Sequence, residues 1–239
     1  MQKIETAFIL AGGKGTRLKP LTYEIPKPLI PINDKPILMY NIENVKAFGV
    51  KKIVLGVGHM SEKIKKYFRD KEFGVEIIFS EEKKELGTGG ALKLAEETGL
   101  LNKTFIMCNG DELKDIDYGK VLNAVEKNHS IAGIALTAIE NVSQFGVVEL
   151  NDGKIKQFIE KPNPETTTSH LINTGAYVMT PKILDCIPSG KSVNIEREVF
   201  TVLAKEGKLS GAIACNAFYP IDTLDRYEHA LLNWNKSSK

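Results

Sequence analysis

Through its first 130 residues the chain alternates short β-rich runs with segments of helical period, and this alternation restricts its folds more than any other feature. The run TAFIL, from Thr6 to Leu10, is followed from about Pro36 by Leu38, Ile42, Val45 and Phe48 at helical spacing. Next come KKIVLGVG as a strand, SEKIKKYF with a serine at its N-cap position, VEIIFS as a strand, and TGGALKLAEETG as a helix closed by Gly99. The strand TFIMC and a helix from about Asp117 to Asn128 complete the series. Strand, helix and strand on short links predict an α/β fold with a mostly parallel sheet covered by helices. Such sheets bind ligands at the carboxyl ends of their strands.

The second half has a different grain. FGVVELNDGKIKQFIEKP reads as two alternating strands around Asn151-Asp152-Gly153, a hairpin signal. PNPETTTSH is polar and is expected to be mobile, LINTGAYVM is a strand, and NIEREVFTVLAKEG is a helix with a glycine stop. No repeat or low-complexity linker divides the chain, so residues 1–239 read as one domain carrying an inserted or appended substrate-facing part.

Its 239 residues suffice for a sizeable core. With 32 basic and 30 acidic side chains, no global field for nucleic acid or anionic lipid exists, and any bound anion must be gripped locally. Cys108, Cys186 and Cys215 have no metal-ligand spacing and read as buried thiols in a reducing compartment. One lysine and a five-residue apolar run fall short of a signal peptide, and no stretch approaches the roughly 20 apolar residues of a membrane span. A cytoplasmic protein without nucleic-acid or membrane partners is the expectation.

The loop after the first strand, AGGKGTRLKPLTYEIPKPLIPI, concentrates glycines, prolines and positive charge. Glycines 12, 13 and 15 can take positive φ and bring backbone N–H groups close to a ligand; with a lysine and an arginine beside them they would cradle phosphates. Neither the G-x-x-x-x-G-K-[ST] loop nor the G-x-G-x-x-G fingerprint is matched. On its own the loop fits a glycine-rich turn with solvated charges equally well.

LAGGKGTRLKPLT followed by PKPLIPI resembles the signature of the sugar-phosphate nucleotidyltransferases, the nucleotide-sugar pyrophosphorylases. LGTGGAL, NGDEL, FGVVEL, FIEKP, INTGAYVM and IEREVF follow in that family's order and extend the likeness over nearly the whole chain. The pattern is most similar to mannose 1-phosphate and heptose 1-phosphate guanylyltransferases. The resemblance implies the Rossmann-like nucleotide-diphospho-sugar transferase fold, with a nucleotide-binding half over about 1–130 and a sugar-phosphate-binding half, containing the hairpin, over about 131–239. A carboxy-terminal β-helix is not expected. It implies attack of a sugar 1-phosphate oxygen on the α-phosphorus of a nucleoside triphosphate, GTP favoured, with release of pyrophosphate and with Mg2+ as cofactor. The partners are then the two substrates, and a homo-oligomer is left open.

Carried over by position, Leu10, Ala11, Gly12, Gly13, Gly15 and Thr16 would line the nucleotide, Arg17 would hold the departing phosphates, and Lys27 would reach the α-phosphate. Gly87, Thr88 and Gly89 resemble the segment around base and ribose, though they read also as a helix start. Asp111, at a strand's carboxyl end, is the first metal ligand. Asp222 is preferred as the second over Asp225, which falls inside the next helix. Glu160 and Lys161 resemble the family's pair for sugar hydroxyls and sugar phosphate, and Gly146, Asn173 and Gly175 approach the sugar; the bare alternation of a hairpin strand would make that pair surface charges. Glu112, Asp115 and Asp117 lack the spacing of a calcium loop and read as solvated or helix-capping. The four histidines share no pattern. Cytidylyl or uridylyl chemistry, a catalytically inactive regulatory homologue and a glycosyltransferase of related fold remain as alternatives; the last would more typically show Asp-x-Asp after a strand.

Overall fold

In the computed structural model, which describes residues 3–163 and 167–237, the alternation of the first half appears in the expected order. β1 (Thr6–Leu10) is buried on both faces: Phe8 packs into one cluster with Met107 and Tyr177, while Ala7 and Ile9 join another with Ile106 and Ile42. A strand covered on both sides needs consecutive apolar residues, which is why TAFIL does not alternate. Each of the larger of these side chains contributes about 1.5–3 kcal/mol by leaving water.

A small ribbon of β2 (Pro31–Ile32) and β3 (Lys35–Pro36) precedes α1 (Ile37–Phe48). β4 (Lys52–Val57), α2 (Ser61–Phe68), β5 (Glu76–Glu81), α3 (Gly87–Ala95), β6 (Phe105–Asn109), β7 (Leu113–Ile116) and α4 (Tyr118–Asn128) follow. The second half contributes β8 (Ala132–Ala138), β9 (Gly146–Asn151), β10 (Lys154–Glu160), β11 (Leu171–Met179), α5 (Lys182–Asp185), α6 (Thr201–Lys205), β12 (Leu209–Ile213), β13 (Cys215–Tyr219) and α7 (Leu224–Ser237). Nine of the strands among the described residues form one sheet, in the order β5-β4-β1-β6-β11-β8-β12-β10-β9. β5, β4, β1 and β6 are mutually parallel, whereas β11 joins β6 antiparallel and brings the second half into the same sheet. The carboxyl ends of β1 and its two neighbours coincide, Leu10 lying beside Gly56 and Asn109. The glycine-rich loop leaves from that point. β13 and β7 pair as a separate antiparallel ribbon.

The hairpin turns at Asp152 and Gly153, both at positive φ, which matches the twist of its strands. Three local expectations change. Ser61 is not the cap of α2: Met60 takes that position, and Ser61 lies inside the helix with its hydroxyl donating to Glu81 across to β5. NIEREVF is a π-helix over Ile195–Phe200 before α6 begins, with Asn194 capping it through Arg197 N. Cys186 is exposed just past the end of α5, whose inward positions are taken by Ile183 and Leu184, whereas Cys108 is buried and Cys215 partly so. Burial pushes the Cys108 thiol up to about 11 and that of Cys215 to about 12. Residues 164–166, at the centre of the segment expected to be mobile, lie outside the described residues. No helix among the described residues is long and apolar enough to cross a membrane.

Candidate active site

Backbone bonds fix the loop after β1 before any ligand is considered. Ala11 N donates to Gly56 O at 2.7 Å and His59 N to Gly12 O at 3.2 Å, tying the loop to the end of β4. Of the three glycines only Gly15 has positive φ, at 59°, where it starts a short 3-10 turn over Thr16–Leu18. A side chain there would meet Lys27 Cβ at 2.9 Å. Gly12 and Gly13 do not use the positive φ open to them; around Gly13 nothing lies within 4 Å of where a Cβ would be, so what it provides is room.

Lys27 follows Pro26, whose extended backbone starts another 3-10 turn, over Lys27–Leu29. It is only 7% exposed, far more buried than a lysine in a surface turn. Its Nζ lies 2.7 Å from Asp111 Oδ2. Asp111 stands just past β6, where Gly110 N donates to Leu10 O at 2.8 Å and locks the two strand ends together. Burial would raise the Asp111 carboxyl, but the Lys27 ammonium, aided by Lys114, holds it below its ordinary 3.8.

Two clefts open on either side of this ion pair. The first, about 400 Å³, is lined by Leu10, Ala11, Gly12, Gly13, Gly87 and Thr88, with Glu82 and Glu85 on its wall. The second, about 250 Å³, is lined by Arg17, Lys27, Gly146, Glu160, Lys161, Asn173, Gly175 and Asp222. Thr88, Asn109 and Asp111 line both. Gly15, Thr16 and Gly89 line neither: the first two shape the turn that carries Arg17, and Gly89 donates its N–H to Val193 O at 2.9 Å, docking α3.

Asp222 accepts from Arg17 at 2.8 Å and from Arg226 at 2.7 Å, whereas Asp225 is exposed on α7. Lys161 has positive φ, its N–H bonded to Phe145 O at 3.0 Å, and its ammonium reaches Glu160 at 4.0 Å. Glu160 is mostly buried, which raises its carboxyl and removes it from the solvated charges of the hairpin.

Several residues of the site carry no signal in the spacing. Glu112, expected to be solvated or capping, lines the second cleft and pairs with the fully buried Lys114 at 3.1 Å; Asp117 does cap α4. Glu196, on the π-helix, accepts from Thr88 Oγ1 at 2.7 Å and so joins α3 to the second cleft. Its burial raises the carboxyl above its ordinary range. The sole hint in the sequence is that Glu112 lies inside NGDEL and Glu196 inside IEREVF.

The family described as nucleotidyl transferase matches residues 6–232. The chain is 39% identical over 215 residues to a UTP-glucose-1-phosphate uridylyltransferase of Synechocystis, covering 84% of this chain and 55% of that protein. It is equally 39% identical over 209 residues to mannose-1-phosphate guanyltransferase beta-B of Xenopus laevis, covering 85% and 57%. It thus spans just over half the length of these curated relatives. Among solved structures it resembles HddC from Yersinia pseudotuberculosis, with 28% identity and a TM-score of 0.80 over 97% of this chain and 100% of that one. HddC has also been crystallised complexed with GMP-PN.

Proposed function

The chain belongs to the nucleotidyl transferase family, and from that membership we propose that it joins a nucleoside triphosphate to a sugar 1-phosphate, yielding a nucleotide-diphosphate sugar and pyrophosphate. The observation that carries the proposal is the pair of clefts meeting at Asp111, with Lys27 buried at their junction. A nucleotide in the first cleft, its phosphates reaching past Asp111 to Lys27 and Arg17 on the second, and a sugar phosphate beside Lys161 would bring an oxygen nucleophile against the α-phosphorus where a fixed cation already stands. Positioning of this kind supplies on the order of 7–11 kcal/mol.

The nucleotide half, about 1–130, offers the loop from Leu10 to Gly13 to the base, ribose and phosphates. Arg17, on the exposed rim, takes the β and γ phosphates, while Lys27 faces the α-phosphate as charge shifts there. In the other half, about 131–239, Lys161 holds the sugar phosphate and Glu160 accepts sugar hydroxyls. Since both reactants are anions, these cations neutralise charge and orient, with little covalent work for the protein.

The donor set fits Mg2+. Asp111 and Asp222 are hard carboxylates on one cleft, and no group of three or more His, Cys, Asp or Glu suited to a metal occurs among the described residues. Two carboxylates leave further positions for phosphate oxygens and water, as this ion prefers. When bound there, the cation neutralises phosphate charge and polarises the α-phosphoryl group.

GTP with a mannose- or heptose-type sugar 1-phosphate is the favoured pair. The guanyltransferase relative supports it, and so do Glu82 and Glu85 on the nucleotide cleft, since acceptor-only groups suit the adjacent N1–H and N2–H donors of guanine. UTP with glucose 1-phosphate is the second reading, favoured by the uridylyltransferase relative of equal identity. Free cysteines at 108, 186 and 215 support a reducing, cytoplasmic setting. Pyrophosphate release measured across four triphosphates and a panel of sugar 1-phosphates tests the proposal. Release requiring both substrates is expected; nucleotide binding without release from any pair would leave a regulatory homologue.

A further inference from the structure

β11 does not run straight past the second cleft. Its register with β8 shifts between Asn173 and Tyr177, and Gly175 sits at φ 66° within the irregularity. Such a break leaves buried carbonyls without ladder partners, and these must be satisfied some other way. Lys114, reaching from β7 with a fully buried side chain, donates to Thr174 O at 2.9 Å and to Gly175 O at 3.1 Å. Its third contact is Glu112 Oε2 at 3.1 Å. An ammonium has three protons, and all three are used; a buried charge is tolerable only when paired and fully hydrogen-bonded in this way.

Glu112 is anchored at its backbone too, where its carbonyl accepts from Asn41 Nδ2 at 2.9 Å. Among the described residues the carboxylate takes only the Lys114 proton on Oε2, which leaves Oε1 without a donor although the group lines the cleft. Gly175 lies close beside it: at φ 66° a Cβ there would stand 3.0 Å from Glu112 Oε2 and closer still to Asn109 Nδ2. The result is a carboxylate aimed by a buried ammonium, on the cleft that also holds Glu160.

Resting on the reading of that cleft as the sugar-phosphate site, we propose that Glu112 accepts a hydroxyl of the sugar and that Lys114 is its positioning residue. Two acceptor-only carboxylates select a ring edge bearing free hydroxyl donors. The substrate class is therefore a hydroxylated aldose 1-phosphate, and deoxy or acetamido substitution at the position facing Glu112 is disfavoured.

The test compares an aldose 1-phosphate with its monodeoxy analogues in the wild-type enzyme, Glu112→Ala and Glu112→Gln, with Lys114→Met and Lys114→Arg alongside. Glu112→Ala should raise KM for the parent sugar phosphate about tenfold or more, with the KM for nucleotide within about twofold. One deoxy analogue, penalised in the wild type, should lose its penalty in Glu112→Ala and in Lys114→Met, and Lys114→Arg should restore part of it. A misfolded variant would lose nucleotide binding as well, and the milder Glu112→Gln then carries the comparison. Persistence of every deoxy penalty in folded Glu112 variants would overturn the inference while leaving the activity in place. Absence of turnover of any pair by the wild type would remove the activity and the inference together.

Discussion

Lys27 Nζ and Asp111 Oδ2 stand 2.7 Å apart at the junction of the two clefts, and Arg17 with Asp222 repeats the arrangement at 2.8 Å on the rim. In both pairs a cation suited to phosphate is held by a carboxylate suited to Mg2+. On the proposed function, a triphosphate bound with a metal would exchange these partners without leaving a charge uncompensated, which removal of one partner alone would do.

The two cleft lysines should separate kinetically. Lys27→Ala removes a donor at the reacting phosphorus and should lower kcat by about 10²–10³ fold, with no rescue by excess substrate. Lys161→Ala should instead raise KM for the sugar phosphate, because that group is bound in ground and transition states alike. Steady-state kinetics with each substrate varied decides; a nucleotide defect in Lys161→Ala would reverse the two halves of the site.

Asp111→Asn and Asp222→Asn should each keep the fold and nearly abolish turnover, since each removes a charged oxygen from the cation site. Asp225→Asn, altering an exposed group on α7, should be mild. Isothermal titration of nucleotide with and without Mg2+ should show the metal's benefit shrinking in the first two variants. A defect in Asp225→Asn exceeding that of Asp222→Asn would contradict the assignment.

Gly15 and Gly13 look alike in the sequence and should behave differently. Gly15→Ala places a side chain at φ 59° and against Lys27 Cβ, and should cost about 1–2 kcal/mol, seen as a Tm about 2–8 °C lower. Gly13→Ala should leave Tm unchanged, because its Cβ would meet nothing within 4 Å. Equal losses at both positions would refute the distinction.

Glu196 gives a pH signature. Burial raises its carboxyl above the ordinary 4.5, outweighing the hydrogen bond from Thr88. The folded protein thus holds this proton more tightly than the unfolded chain, and the contribution of Glu196 to stability declines as pH rises from about 4.5 through the folded value. Glu196→Gln removes that titration, so its Tm relative to wild type should climb across the window and level off above it. A difference that is flat or falls with pH would contradict the burial argument.

Sequence and structure agree where the constraint is local or periodic. Continuous apolar runs mark the central strands, Asn151-Asp152-Gly153 marks the hairpin, and the loop motif marks Lys27 and Arg17. Partners distant along the chain were not legible. Nothing in NGDEL tells that Glu112 turns into the cleft, because this follows from a break in β11 some 60 residues later that draws Lys114 beneath it. Nor does helical period reveal the π-turn at Ile195–Phe200 that carries Glu196 to Thr88. Gly15 is distinguished from Gly12 and Gly13 by a positive φ and by Lys27 and Thr22 packing across the turn.

The central claim is transfer of a nucleotidyl group to an intact sugar phosphate, and isotope placement tests it most directly. With GTP and mannose 1-phosphate whose phosphate oxygens carry ¹⁸O, mass spectrometry should find all the label in a nucleotide-diphosphate sugar and none in an equal amount of released pyrophosphate. Label in pyrophosphate, or formation of GMP with a sugar triphosphate, would contradict attack at the α-phosphorus.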